Sequence, residues 1–139
     1  MAKMIRFSVS IDPKLLERFD EAMKERRYKN RSKAIRDVIV DFLVEREWEK
    51  SERGVMGSLT LLYKYEAKGL LEELVKTEHE MCNNIISTMH VHIDEHNCME
   101  ILAIKGQPQE IRQIADRLIS CKGVKHGKLV MTTTGKDIA

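Results

Sequence analysis

The sequence has no apolar run that approaches the roughly 18 residues a membrane-spanning helix needs. Its N-terminus also lacks the apolar core of a signal peptide. We therefore expect a cytoplasmic protein with no membrane partner, in a compartment that keeps thiols reduced.

Cysteine is scarce, with three residues at positions 82, 98 and 121, and an odd number does not suit a disulfide framework. The sequence also lacks paired catalytic carboxylates, a nucleophile motif and a glycine-rich phosphate loop. These absences argue against an enzyme and leave thiol or metal chemistry as the question for the cysteines.

The net charge is only +2, but positive charge is concentrated at the N-terminal end. Residues 1–36 hold eleven Lys and Arg against five Asp and Glu, whereas residues 37–53 hold three against six. This distribution favours an N-terminal region that meets phosphate groups.

The first fifty residues predict one strand followed by two helices. Residues 4–11 alternate between apolar and polar side chains, which is the period of a strand with one buried face. Asp12-Pro13 begins a helix, and a second helix begins near Ser32 with Asn30 or Ser32 as its cap. We place a charged linker at residues 45–54.

A lone strand needs a partner for its backbone groups, and the same strand of a second chain is the obvious one. Two antiparallel strands make a ribbon that fits the major groove of DNA. The polar face would then meet base edges while the start of the second helix holds a phosphate. The residues concerned are Arg6, Ser8 and Ser10 in the strand and Arg31, Ser32 and Lys33 in the helix. The alternative is a dimerisation arm whose polar face is only solvated.

Residues 55–133 predict strands at 55–65, 84–93, 98–105 and 123–133, with helices at 69–83 and 106–121. The order β-α-β-β-α-β is the split-βαβ, ferredoxin-like motif. We therefore predict an α+β protein with a dimeric ribbon-helix-helix domain at residues 1–50 and a ferredoxin-like domain at residues 51–139.

All five histidines lie in the last 61 residues. His90 and His92 are two apart on a predicted strand and share a face, and Cys98 lies across a short turn on the next strand. This set suits a late first-row metal, with Glu100 to orient a ligand and His79 as the best candidate for a fourth ligand. The pattern leaves Zn(II), Cu(II) and Ni(II) open and does not say which chain supplies His79. The alternative is a surface strand with two histidines beside a packed cysteine.

The two patterns together resemble the nickel-responsive transcriptional regulators called NikR, over nearly the whole chain. The resemblance rests on the N-terminal strand, residues 30–37, His90-Val91-His92 through Cys98, His79 eleven residues before His90, and residues 123–127.

The resemblance implies one square-planar Ni(II) per chain, held by His90, His92 and Cys98 of one subunit and His79 of another. It also implies an ACT-type βαββαβ core that forms a homotetramer, a dimer of dimers, flanked by two ribbon-helix-helix pairs. The implied function is repression of nickel uptake from a palindromic double-stranded DNA operator. The implied DNA-contacting residues are Arg6, Ser8, Ser10, Arg31, Ser32 and Arg36.

One position departs from the family pattern. Many members carry an acidic residue where this chain has Lys33, and that residue acts with the equivalent of Asp37 to hold a cation between the two domains. A lysine there does not suit the candidate interdomain cation site at Asp37, and its ammonium group is an alternative occupant.

Two other functions fit the same sequence patterns. One is a ribbon-helix-helix regulator that responds to another metal or to a small ligand. The other is a metal storage or delivery protein whose N-terminal arm only dimerises it. Metal-dependent spectra would separate the first from a nickel regulator, and the effect of Arg6→Ala on DNA binding would separate the second.

Overall fold

A computed structural model of the chain describes residues 3–50, 53–136 and 138. These residues form two compact units, residues 1–41 and residues 42–139, and the division falls inside a helix. The domain boundary expected at residue 50 stays a prediction. None of the described helices combines the length and the apolar character that crossing a bilayer requires.

The first unit begins with residues 3–12, which are assigned to no helix or strand. The strand expected at residues 4–11 is therefore not formed in the single chain, because a strand needs a second strand to complete its hydrogen bonds. Its apolar side chains lie in the open, with Ile5 87%, Phe7 66% and Val9 69% exposed.

Two helices follow, α1 at Pro13–Glu25 and α2 at Arg31–Lys50. Helix α1 begins as expected, since the Asp12 side chain accepts hydrogen bonds from the backbone N–H groups of Lys14 and Leu15. Helix α2 is capped by Asn30, whose side-chain oxygen accepts from the Lys33 N–H at 2.9 Å.

Helix α2 also corrects the expected linker. It continues to Lys50 through most of the charged stretch that was assigned to the linker. Trp48 explains this, because its side chain is buried and its indole N–H donates to the Thr132 carbonyl at 2.8 Å. Burial of that one aromatic side chain holds the last turns of the helix in place. Of the remaining linker, residues 51 and 52 lie outside the described residues.

The second unit contains the expected β-α-β-β-α-β order, as β1 Val55–Lys64, α3 Leu70–Glu80, β2 Ile85–His92, β3 Asn97–Gly106, α4 Pro108–Ile119 and β4 Val124–Thr132. The sheet order is β2-β3-β1-β4, and each neighbouring pair is antiparallel. This arrangement confirms the ferredoxin-like fold class.

Strand periodicity determines where the core lies. Alternate residues of β1, from Val55 to Tyr63, are buried, and so are alternate residues of β3, from Cys98 to Ile104. They form one cluster with apolar residues of α3 and α4 such as Leu74, Ile111 and Leu118. The intervening residues of both strands are only partly buried, as expected for an antiparallel sheet with one face on the core.

Gly127 of β4 lies against Ile119, the last residue of α4. A Cβ atom built on Gly127 would overlap the Ile119 side chain and would also press on Leu61. Neither neighbour can move freely, because Leu61 is fully buried and Ile119 packs against the core.

We expect Gly127→Ala to lower the free energy of unfolding by about 1–3 kcal/mol, since overpacking forces side chains and backbone apart. Urea denaturation followed by circular dichroism measures this. The matched variant is Gly127→Ala combined with Ile119→Ala, in which the second change removes the overlapped atoms. If the overlap is the cause, the double variant should be destabilised by less than the sum of the two single variants. A destabilisation equal to or larger than that sum would contradict the steric explanation.

Candidate metal centre

Three metal-ligand side chains converge at the β2–β3 hairpin. In the register of the two strands His92 pairs with Cys98 and His90 pairs with Glu100. One ligand atom from each of His90, His92 and Cys98 can be chosen so that all lie within 4.8 Å of one another. The Cys98 Sγ lies 3.7 Å from His92 Nδ1. The described hairpin therefore brings together the three residues that the sequence pattern grouped.

A register shift between Ile85 and Ser87 decides which face of the sheet the histidines share. Ile85 pairs with Ile104 and Ser87 pairs with Ala103, so β2 has one residue more than β3 at this point. Because side chains alternate along a strand, one extra residue moves the following ones to the other face. This shift places His90 and His92 on the same side of the sheet as buried Cys98.

The thiol and the imidazoles lie in different surroundings. Cys98 is fully buried, while the His90 and His92 residues are exposed. Burial raises the pKa of the Cys98 thiol, and the nearby Asp94 and Glu66 carboxylates raise it further. A metal that binds here as a thiolate complex must therefore displace a proton.

Tyr63 forms a hydrogen bond with His90. The Tyr63 ring is fully buried, and its hydroxyl oxygen lies 3.0 Å from His90 Nδ1. Burial raises the pKa of the Tyr63 hydroxyl, with the Glu100 carboxylate as the next cause, so the phenol stays protonated. With Nδ1 occupied by this hydrogen bond, Nε2 is the ring nitrogen left for a metal.

A pair of carboxyl groups lies behind the histidines. Glu100 is only 7% exposed, and the Glu78 carboxyl group of α3 lies beside it. Burial, hydrogen bonding to Glu100 and the Glu100 charge together raise the pKa of Glu78 to about 8, which favours the protonated carboxyl group at neutral pH. Among the described residues, the Thr77 Oγ1 and the Glu78 Oε1 are buried without a hydrogen-bond partner.

Glu100 was predicted from the sequence pattern, whereas Tyr63 and Glu78 were not. Each carries a signal that can be read afterwards. Tyr63 continues the buried alternation of β1, so its hydroxyl had to find a polar neighbour. Glu78 lies four residues after buried Leu74 on α3, on the side of the helix where a carboxyl group needs a partner.

His79 lies apart from the three-residue group. It is exposed near the end of α3. Among the described residues, the group of possible metal ligands contains His90, His92 and Cys98 but not His79. Leu71, Val75 and His79 are spaced four residues apart and so share one face of α3, where Leu71 is 38% and Val75 62% exposed. His79 therefore ends an exposed apolar stripe rather than facing the hairpin of its own chain.

The residues expected to contact DNA lie in the first unit, where Arg6, Ser8 and Ser10 are exposed in the segment before α1. Arg31 has another partner, since its guanidinium donates two hydrogen bonds to Asp20 at 2.9 and 2.8 Å. These bonds hold the pKa of the Asp20 carboxyl below its usual range. The expected phosphate contact of Arg31 would have to displace Asp20.

Ser32 and Arg36 are exposed on the first turns of α2, and Arg36 Nη1 lies 3.6 Å from Asp37 Oδ1. Asp37 accepts from the Lys33 Nζ at 2.5 Å and from the Tyr28 hydroxyl at 2.7 Å. The Lys33 bond is the main reason that the pKa of Asp37 is lowered. The Lys33 ammonium group is thus paired with the Asp37 carboxylate that was considered for the interdomain cation site.

Two family models match the chain. Residues 5–46 match the ribbon-helix-helix protein family of the CopG type, and residues 56–132 match the NikR C-terminal nickel-binding domain. The class that fold and site define is thus a ribbon-helix-helix regulator with a nickel-binding second domain. The chain belongs to the NikR family of nickel-responsive transcriptional regulators, which are not enzymes.

Similar proteins agree over the full length. The chain is 52% identical over 136 residues to a "Putative nickel-responsive regulator" of Thermococcus kodakarensis, covering 98% of this chain and 99% of that protein. Proteins of the same name from Pyrococcus abyssi and Geobacter metallireducens are 51% and 48% identical, covering 97% and 99% of this chain and 98% and 99% of their own. The uncharacterized protein TM1266 from Thermotoga maritima shares the fold of part of the chain. That structure aligns with a TM-score of 0.52 and 16% identity over 57% of this chain and 98% of its own.

The described residues fit a nickel ion. Two imidazoles and a thiolate are ligands that Ni(II) accepts. The hydrogen bond of His90 to Tyr63 is the kind of outer contact that orients a metal-bound imidazole. Three ligands from one chain leave a fourth position for a residue from elsewhere.

We expect Tyr63→Phe to weaken Ni(II) binding by about 10- to 100-fold, because the substitution removes the hydroxyl that orients His90. The buried aromatic ring is retained. Titration with Ni(II), followed by its thiolate absorption, measures the affinity. Tyr65→Phe is the matched control, since the Tyr65 ring lies edge-on to His92 at 6.3 Å and its hydroxyl forms no bond with a ligand residue in the structure. Equal affinity in both variants would show that the Tyr63 hydroxyl does not position His90.

Proposed function

We propose that this protein is a transcriptional repressor that binds a palindromic operator when Ni(II) is bound and so limits nickel uptake. The observation that carries the proposal is the convergence of His90, His92 and Cys98 on one hairpin of a chain whose N-terminal unit belongs to a DNA-binding family. The names of the similar proteins support nickel as the signal.

The fourth ligand in this proposal is His79 of another subunit, with one Ni(II) per chain. His79 is exposed at the end of the apolar stripe formed by Leu71 and Val75. Exposed apolar side chains in such a row favour a protein–protein contact. Strand β2 adds further apolar side chains to the exposed surface, with Ile86 59% and Met89 60% exposed. A contact that covered these groups would bring a second chain to the metal centre.

The DNA-binding form in this proposal is a dimer of the first unit. The apolar residues at positions 5, 7 and 9 are more than half exposed in one chain, and so is Val38 on α2. Pairing the 4–11 segments of two chains would complete their backbone hydrogen bonds and cover these side chains. Arg6, Ser8 and Ser10 would then face the major groove. Two such dimers on a tetrameric core of second units make the homotetramer.

Metal and DNA binding are coupled in this proposal by selection among arrangements of the subunits. Bound Ni(II) would supply a bond between the hairpin of one chain and α3 of another. His79 and the hairpin ligands meet in only one relative placement of two chains, so that placement becomes the preferred one. Nickel strengthens operator binding only by as much as it favours that placement over the others.

Operator binding should depend on nickel and on Cys98. In an electrophoretic mobility shift with a palindromic operator candidate upstream of nickel-transport genes, we expect one Ni(II) per chain to tighten binding about tenfold or more. Cys98→Ala should abolish this gain, whereas Cys121→Ala, half-buried after α4, should keep it. Binding that ignores both nickel and Cys98 would leave a ribbon-helix-helix DNA-binding protein with another signal.

Mixing two broken variants should restore metal sites if His79 acts between subunits. His79→Ala and Cys98→Ala chains each lack one ligand, but a mixed pair combines His79 of one chain with His90, His92 and Cys98 of the other. After refolding an equimolar mixture, we expect about a quarter of the wild-type Ni(II)–thiolate absorption, because half of random pairs are mixed and each holds one complete site. The control mixture, His90→Ala with Cys98→Ala, should stay silent. Silence in the first mixture as well would assign His79 to its own chain or to no site.

Arg6→Ala should lower operator affinity about tenfold or more, since a bidentate contact from arginine to guanine contributes about 1–3 kcal/mol. Nickel affinity, measured by titration, should not change. Arg18→Ala, an exposed arginine of α1, is the matched control for loss of charge. If Arg6→Ala left operator binding intact, the N-terminal segment would not read the operator and would serve only to pair chains.

A further inference from the structure

An open groove of about 1000 Å³ lies in the second unit, away from the hairpin that carries the metal ligands. We call it the basic groove, because five of its lining residues are cations: Arg46, Lys50, Arg53, Lys105 and Lys136. Glu47 is the single carboxylate among the described residues that line it. The groove shares no described residue with the metal centre.

The basic groove has two walls. One is a single face of α2, since Leu43, Arg46, Glu47 and Lys50 are spaced three, four and seven residues from the first. The other is one end of the sheet, where Met56 pairs with Lys105 on β3 and with Thr132 on β4. Residues 134 and 136 follow directly after β4 and complete this wall.

Four of the described cations of the groove have no carboxylate partner. Among the residues that the structure describes, Arg46, Lys50, Lys105 and Lys136 form no ion pair with a carboxylate. Lys50 lies in the last turn of α2, where the partial negative charge of the helix end favours a cation. That explanation does not extend to Lys105 and Lys136, which come from the opposite wall. Repulsion among clustered cations raises the electrostatic energy of the groove, and a bound anion lowers that energy.

We propose that the basic groove binds the phosphate groups of a polyanion. Its volume matches that of ordinary small-ligand pockets, and several ammonium and guanidinium groups around one space suit more than one phosphate. A nucleotide or polyphosphate and the DNA backbone present the same chemistry. Binding of DNA here would deepen the proposed function and rests on it, whereas binding of a free polyphosphate is independent of it.

The test uses the full-length protein and a groove variant, Lys105→Gln combined with Lys136→Gln. The matched control is Lys76→Gln combined with Lys128→Gln, which removes the same charge from exposed positions of the same unit outside the groove. Both variants should keep the circular dichroism spectrum and nickel affinity of the wild type. Isothermal titration with sodium triphosphate forms one arm, and the salt dependence of operator affinity forms the other.

A free-polyphosphate site predicts that triphosphate binds the wild type and the control, and binds the groove variant about tenfold or more weakly. A DNA site predicts that the slope of log affinity against log salt falls by about 0.9 for each phosphate that the groove variant no longer neutralises, and stays unchanged in the control. Equal behaviour of groove variant and control in both arms overturns the proposal. Failure of the wild type to bind the operator would count against the proposed function alone, because the triphosphate arm needs no DNA.

Discussion

The antiparallel pairing of β2 with β3 is the constraint on which the metal centre depends. The register places His92 opposite Cys98 and His90 opposite Glu100, so four polar side chains meet at the end of one hairpin. The extra residue between Ile85 and Ser87 determines that they meet on the core side of the sheet. The rest of the second unit supports this geometry: β1 brings Tyr63 under His90, and α3 brings Glu78 against Glu100.

A second constraint is that one chain leaves several of its own requirements unmet. The N-terminal segment has the alternation of a strand but no strand beside it, and its apolar residues remain exposed. The apolar stripe on α3 is exposed and ends at His79, while the hairpin offers three ligands where Ni(II) commonly takes four. Further copies of the same chain would pair with the segment, cover the stripe and supply the fourth ligand. In the proposed function, DNA binding and metal binding each depend on association.

Charge pairing within the first unit refines the picture of DNA contact. Arg31 is held by Asp20 and Lys33 by Asp37, so two of the cations near the start of α2 already have carboxylate partners. Exposed ion pairs of this kind contribute little stability, and a phosphate can compete for the cation. Of the residues expected to contact DNA, Arg6, Ser8 and Ser10 would not have to displace such a carboxylate. In the second unit, the groove beside the end of α2 shows the opposite case, since its described lining holds five cations and one carboxylate.

The order of the elements, the ferredoxin-like class of the second unit and the grouping of His90 and His92 with Cys98 were all predictable from the amino-acid sequence. Those features follow from periodicity and short spacings, which are local properties of the chain. The tertiary structure alone decided that Tyr63 and Glu78 join the site, because their neighbours are 27 and 22 residues away and depend on register and helix packing. It also decided that the charged stretch assigned to the linker is helical as far as Lys50, since Trp48 is buried among residues of distant strands. The N-terminal strand stays a prediction, because a single chain has no second set of backbone groups to complete it.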